Sequence, residues 1–150
     1  MIPKRIVIDT NVCLDLFVFR DPRWSALMTA LQSGMIEAVT RADCRMEWQR
    51  VLHYSHLPID DQTRPAINAE FDALIKYMEP EALSPRTDIR LPICSDADDQ
   101  KFLELALGAD AATLITKDKA LLKLARKTAK IGLFAIIPPQ AWNAAPVHSR

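Results

Sequence analysis

The sequence predicts an α/β fold, a parallel sheet covered by helices on both faces. Two observations carry this. Short apolar runs, most of them β-branched, recur along the chain, and segments with helical spacing separate them. A third sets the scale: 150 residues, 49% hydrophobic and 25% charged, suffice for one domain with a real core and are short for two. No internal repeat, low-complexity tract or linker interrupts the chain. One domain is therefore expected over residues 1–150, with 144–150 a frayed tail.

The elements follow in order. Arg5 to Asp9 reads as a buried first strand. Helices are expected over Asn11 to Phe19 and Trp24 to Ser33, the second closed by Gly34. Ile36 to Thr40 reads as a second strand and Ala42 to Tyr54 as a helix. After the break at Leu57-Pro58, a long amphipathic helix is expected from Asp60 to Met78, because Ile67, Phe71, Leu74, Ile75 and Met78 keep the 3.6-residue spacing. A short third strand is placed at Glu81 to Leu83 and a loop over Pro85 to Pro92. Then come a helix from Asp98 to Leu107, a strand at Ala112 to Thr116, and a basic helix from Asp118 that Gly132 stops. Leu133 to Ile137 is the last strand, and Pro138-Pro139 opens a terminal turn.

Several classes are excluded or disfavoured at once. No apolar stretch approaches the roughly 20 residues that span a bilayer, so no membrane association is expected. The first residues lead into only a short apolar run before Asp9, which does not resemble a signal peptide. Cys13, Cys44 and Cys94 are widely spaced and lack a C-x-x-C pairing. They read as small core residues in a reducing cytoplasm. Nineteen basic and nineteen acidic residues cancel, so attraction to nucleic acid must come from local patches. The strongest lies between Lys117 and Lys130, where Lys119, Lys123, Arg126, Lys127 and Lys130 would share a helix face. A solvated face complementing a helix dipole is the alternative there.

The chemistry rests on acids. Asp9 ends the first strand and Asp118 lies just past the fourth, so both reach the crevice beyond the carboxyl ends of the sheet, where α/β folds bind ligands. Glu47 shares a helix face with Cys44, Val51 and Tyr54, and Asp99 shares one with Phe102, Leu103 and Ala106. An acid in an apolar stripe is costly without a partner. Gathered carboxylates also repel one another. A hard divalent cation with oxygen ligands would answer both problems. Each acid alone has a plainer reading. Asp9 and Asp118 would cap helices, Glu47 would pair with Arg50, and Ser95 to Asp98 resembles a capping box led by Ser95.

Four segments, in order, resemble the PIN domain (PilT N-terminus) family, particularly its members assigned as toxins of bacterial toxin–antitoxin pairs. They are Ile6-Val7-Ile8-Asp9-Thr10-Asn11-Val12, Arg45-Met46-Glu47-Trp48-Gln49-Arg50-Val51-Leu52, Asp96-Ala97-Asp98-Asp99-Gln100-Lys101-Phe102-Leu103 and Ala112-Thr113-Leu114-Ile115-Thr116-Lys117-Asp118. The resemblance runs from near the first residue to about Ile137. It implies a three-layer α/β/α fold with a parallel sheet of about five strands. It further implies that Asp9, Glu47, Asp99 and Asp118 form a catalytic acidic quartet holding Mg²⁺ or Mn²⁺, supported by the polar Asn11 and Thr116. Ala97 stands where relatives often have Pro, Lys117 replaces a common Gly, and Ala120 replaces a frequent acid, which weakens the case for a full second metal site.

The activity implied is endonucleolytic hydrolysis of RNA, leaving 5′-phosphate and 3′-hydroxyl ends, by a cytoplasmic enzyme that an antitoxin keeps silent. A homodimer is plausible by the same analogy. Lys117 would hold the scissile phosphate or pair with an acid, and Asp96 is a candidate second-site acid. Lys119, Lys123 and Lys127, with Arg45 and Arg50 flanking Glu47, would position the RNA backbone. Two alternatives stay open: a non-catalytic PIN-like interaction module, and a phosphatase-like hydrolase with Asp9 as nucleophile. The second lacks the acid such enzymes use two residues on, where Asn11 stands. His53 and His56 lack a third ligand nearby, and Trp24, Trp48 and Trp142 are too scattered for a base-stacking platform.

Overall fold

A computed structural model describes residues 3–84 and 86–143, so the expected tail at 144–150 lies outside the described residues. The chain runs β1 (Lys4–Ile8), α1 (Thr10–Phe17), α2 (Ser25–Ser33), β2 (Ile36–Thr40), α3 (Ala42–Val51), α4 (Arg64–Leu74), β3 (Ile75–Tyr77), α5 (Gln100–Gly108), β4 (Thr113–Ile115), α6 (Lys119–Leu122), α7 (Ala125–Lys130) and β5 (Ala135–Ile137). The strands form one sheet in the order β3-β2-β1-β4-β5, and every pairing is parallel. This is the three-layer α/β/α arrangement expected from the alternation of strands and helices.

Strand periodicity divides the core in two. Ile6 and Ile8 of β1, Ala38 of β2 and Ile115 of β4 pack on the face that carries Val12, Phe17, Leu31, Trp48 and Phe71. Their neighbours Val7, Val39 and Leu114 point the other way, toward Phe102, Leu103, Leu105 and Leu121. Successive side chains of a strand alternate faces, so burying both faces requires the continuous apolar runs seen in β1 and β4. On the first face Trp48 stacks on Phe71 with ring centroids 4.6 Å apart, and Phe17 meets both edge-on. Gly34 and Gly132, at φ 78° and 75°, end the α2 and α7 stretches in the left-handed region that favours glycine.

Two expectations are corrected. The third strand is not at Glu81 to Leu83, where Pro80–Ala82 forms a 3₁₀ turn; it is Ile75–Tyr77, taken from the end of the expected long helix. Ile75 and Met78 do fit the helical spacing, but the register Ala38↔Ile75 to Thr40↔Tyr77 gives this stretch a sheet partner that local periodicity cannot reveal. The single basic helix from Asp118 is broken as well. Leu121 and Leu124 both turn into the core, the Leu124 amide bonds to the Leu121 carbonyl, and α6 stops before α7 begins.

The strand order places the functional edge. The chain builds β1, β2 and β3 outward in one direction, then returns to lay β4 on the other side of β1. The carboxyl ends of β1 and β4 thus meet at the point where the winding reverses, with Ile8 opposite Ile115. Asp9 follows one strand; Thr116 and then Asp118 follow the other.

Candidate metal centre

Asp9 leaves β1 in an extended conformation. Its amide bonds to the Ile115 carbonyl at 2.9 Å, which ties it to β4. Its side chain makes no cap hydrogen bond to α1. Instead its Oδ2 accepts the Thr116 hydroxyl at 2.6 Å, and the Thr116 oxygen accepts the Asp118 amide at 2.9 Å. One threonine therefore positions both strand-end acids. Asp118 does cap its helix, its Oδ1 accepting from the Ala120 amide at 2.8 Å, as the plainer reading of this residue expects.

Asp99 arrives from the opposite direction, at the end of the 3₁₀ turn Ala97–Asp99 that leads into α5. The turn is capped by Asp96, whose carboxylate accepts the Asp98 amide at 3.0 Å; the expected cap at Ser95 is displaced by one residue. Gln100 fastens the entering loop, accepting from the Cys94 amide at 2.7 Å and donating to the Pro92 carbonyl at 3.1 Å. As a result Asp96, Asp99 and Asp118 each present an oxygen within 4.8 Å of the others'. Asp96 is exposed, Asp118 half-buried and Asp99 buried. The Asp99 Oδ2 is buried and has no hydrogen-bond partner among the described residues.

Electrostatics record the same crowding. Burial, with the Asp118 carboxyl and the charges of Asp9, Asp118 and Asp96 beside it, pushes the Asp99 carboxyl up to about 8. Burial also pushes Asp9 up to about 6; the Thr116 hydroxyl and the Thr10 amide pull the other way, and the charges of Glu47 and Asp118 add to the rise. Such shifts follow from burial and from like charges held close together.

Glu47 is held differently. It reaches from α3 with Oε2 accepting the Thr10 hydroxyl at 2.5 Å and Oε1 paired with the Lys101 ammonium at 2.6 Å. Arg50, the partner sequence spacing suggested, is exposed instead, and Arg45 forms a two-bond pair with Asp72. Lys117 pairs at 2.8 Å with Asp15, which also accepts the Trp24 indole N–H at 3.1 Å; neither partner belongs to the acidic group. Asn11 is exposed, without a hydrogen bond to any of the four acids, whereas Thr10 beside it makes one. Lys119, Lys123 and Lys127 are exposed, with no ion pair among the described residues.

Sequence reasoning missed Thr10, Lys101 and Asp15. Each is recognisable only through a partner distant in sequence; at most, the place of Thr10 directly after Asp9 was a hint. Of the remaining singled-out residues, the cysteines sit close enough to the acids to feel their charge, with Asp9 and Glu47 acting on Cys13 and Asp99, Asp118 and Asp96 on Cys94. His53 and His56 are exposed, and burial pushes the thiols of Cys13, Cys44 and Cys94 up, as suits inert core residues. No helix among the described residues is long and apolar enough to cross a membrane.

Comparison with known proteins supplies independent findings. The family model described as PIN domain matches residues 5–120. In structure, the chain is similar to VapBC2 from Rickettsia felis, solved bound to a DNA fragment from their promoter. The match has a TM-score of 0.55 and 13% sequence identity, covering 88% of this chain and 96% of that one. No curated protein matches in sequence.

Proposed function

We propose that this chain, which belongs to the PIN domain family, is a metal-dependent endoribonuclease of the toxin type, acting in the cytoplasm and kept silent by an antitoxin. The observation that carries the chemistry is the buried Asp99 Oδ2, without a partner among the described residues, in a group of three converging carboxylates. A buried acceptor of this kind is destabilising unless something fills it. The donor set is all oxygen, which fits Mg²⁺ or Mn²⁺ and not a soft ion that would seek Cys or His.

Asp99 and Asp118, with Asp96 as the exposed third donor, would hold the ion, and Asp9 and Glu47 complete the quartet. When bound, the ion supplies charge that offsets the attacked phosphodiester and makes a water molecule a competent nucleophile near neutral pH. The chain's own groups do the rest. Thr116 fixes Asp9 and Asp118 in one orientation, so the site costs little to organise when substrate arrives. Thr10 fixes Glu47. Lys119, Lys123 and Lys127, with exposed Arg50, would track the RNA backbone; Arg45 would join them only by leaving Asp72, and Lys117 only by leaving Asp15. The antitoxin is proposed from the family resemblance and the likeness in fold to VapBC2.

The test is cleavage of RNA by purified protein with Mn²⁺ or Mg²⁺. Asp9→Asn and Asp99→Asn, each shown folded by circular dichroism, are expected to lose cleavage. If either cuts RNA as fast as the parent, the assignment is wrong.

A further inference from the structure

Glu47 differs from the other acids of the quartet in being paired with a cation, one oxygen accepting from Thr10 and the other meeting Lys101. The Lys101 ammonium is not a loose surface charge. Its side chain is only 15% exposed, against 16% for Glu47. The ammonium donates to the Asp98 carbonyl as well and lies 5.1 Å from the centre of the Phe102 ring. A cation is thus anchored at the border of the acidic group, on the first turn of the helix that Asp99 leads into. A protonated amine has no lone pair for a metal, so its role here is to compensate charge.

We infer that Lys101 is a built-in counter-ion for Glu47, competing with a divalent cation for that carboxylate and thereby setting the affinity of the metal centre. The inference rests on the metal-dependent reading above and deepens it. With Lys101 in place, Glu47 is neutralised from within and contributes little to attracting the ion; Asp96, Asp99 and Asp118 hold it. Full use of Glu47 requires Lys101 to move away. The lysine is a positioning residue, acting through Glu47. It keeps the unloaded protein from carrying the whole repulsion of its clustered acids, at the expense of metal affinity.

The experiment is Mn²⁺ titration of the purified full chain at fixed neutral pH, read by calorimetry and by the Mn²⁺-induced rise in melting temperature. Lys101→Met is expected to bind Mn²⁺ about five- to tenfold more tightly than the parent, the scale of a partly buried ion pair. Its metal-free form should melt lower, so its Mn²⁺-induced rise should be larger. Lys101→Gln serves as a second variant and should move in the same direction; Lys101→Arg should stay near the parent. The gain should vanish in the Glu47→Gln background, and Lys117→Met, which removes a cation paired to Asp15, should not reproduce it. Unchanged or weaker binding in Lys101→Met and Lys101→Gln overturns the inference. So does a gain that persists without Glu47, which would be a general charge effect. A parent protein that takes up no Mn²⁺ overturns the metal reading itself, a result distinct from a parent that binds and variants that do not differ.

Discussion

Two aspartates near one end of the sheet, both buried, have opposite surroundings. Asp15 is 8% exposed and its carboxylate is answered, by the Lys117 ammonium at 2.8 Å and the Trp24 indole at 3.1 Å. Asp99 is equally buried, yet its neighbours are other acids and one of its oxygens has no partner among the described residues. Burial of a charge is therefore not the mark of a site. Both carboxylates lose water, but only one is compensated by groups the protein carries. Asp15 ties α1 to the segment after β4 and to the turn before α2, whereas Asp99 keeps a buried oxygen that no group among the described residues answers.

Substitution should separate the two by sign. Asp99→Asn removes a charge the protein does not satisfy. Cleavage of RNA is expected to fall by at least about 10²-fold, the scale of losing a preorganised electrostatic group. The metal-free protein should meanwhile melt higher than the parent. A variant that loses activity and stability together would place Asp99 with Asp15 as a structural residue and erase the distinction.

The same contrast runs through the cations. Lys101 and Lys117 are committed to Glu47 and Asp15, whereas Lys119, Lys123 and Lys127 are exposed without an ion pair among the described residues. Only the second group is available to phosphates. Substituting all three by Gln should weaken RNA binding by about tenfold or more at low salt. It should also make the slope of log affinity against log salt shallower by about 2, at roughly 0.7 per contact on single strands. Fluorescence anisotropy over a salt series measures both, and an unchanged slope would remove these lysines from the interface. The break between α6 and α7 gives this test added value, since the cations no longer lie along one helix.

Asp15→Ala gives the next effect in size. It leaves the Trp24 N–H and the Lys117 ammonium without their acceptor. Lys117 is partly exposed, its side chain 41% so, and water recovers some of that loss. A destabilisation of about 1–2 kcal/mol is expected, seen as a lower midpoint in urea with the slope unchanged. Mn²⁺ affinity should not change, because Asp15 is outside the acidic group. A marked loss of Mn²⁺ binding would show that the two aspartates share a function after all.

What could be read from the sequence follows the range of the forces involved. β1, β2 and β4 were legible because short buried apolar runs at those lengths have few other uses, and the positions of Asp9 after β1 and Asp118 past β4 followed from them. β3 was not, because Ile75-Lys76-Tyr77 continues the helical spacing of α4 and only its pairing with β2 decides the matter. The convergence of Asp96, Asp99 and Asp118 was partly visible, with Asp118 past a strand end, Asp99 an acid on an apolar stripe and Asp96 a candidate second-site acid. The partners themselves were not. Arg50 stands at helical spacing from Glu47 on the same helix, but Lys101, 54 positions away, holds it. An ion pair between distant segments leaves no periodic trace.

The last effect concerns pH and follows from the buried, crowded carboxyls of Asp9 and Asp99. Their carboxyls stand at about 6 and about 8 in the folded chain, against an ordinary value of 3.8. The folded state thus holds these protons more tightly than the unfolded state does. Their contribution to stability is fully present below about pH 4 and is lost as pH rises through 6 and then 8. Asp43, held low by the Arg41 guanidinium, acts in the opposite sense and loses its contribution only in acid. In EDTA the melting temperature is therefore expected to be highest near about pH 5 and to fall toward pH 8. Mn²⁺ should recover the loss at pH 8 and do little at pH 5, because the ion binds the deprotonated carboxylates. The fall should flatten in Asp99→Asn and persist in Asp15→Ala. A metal-free melting temperature that stays level or climbs between pH 5 and 8 would mean that the acids already have a compensating cation within the chain, and the case for an added one would lose its physical basis.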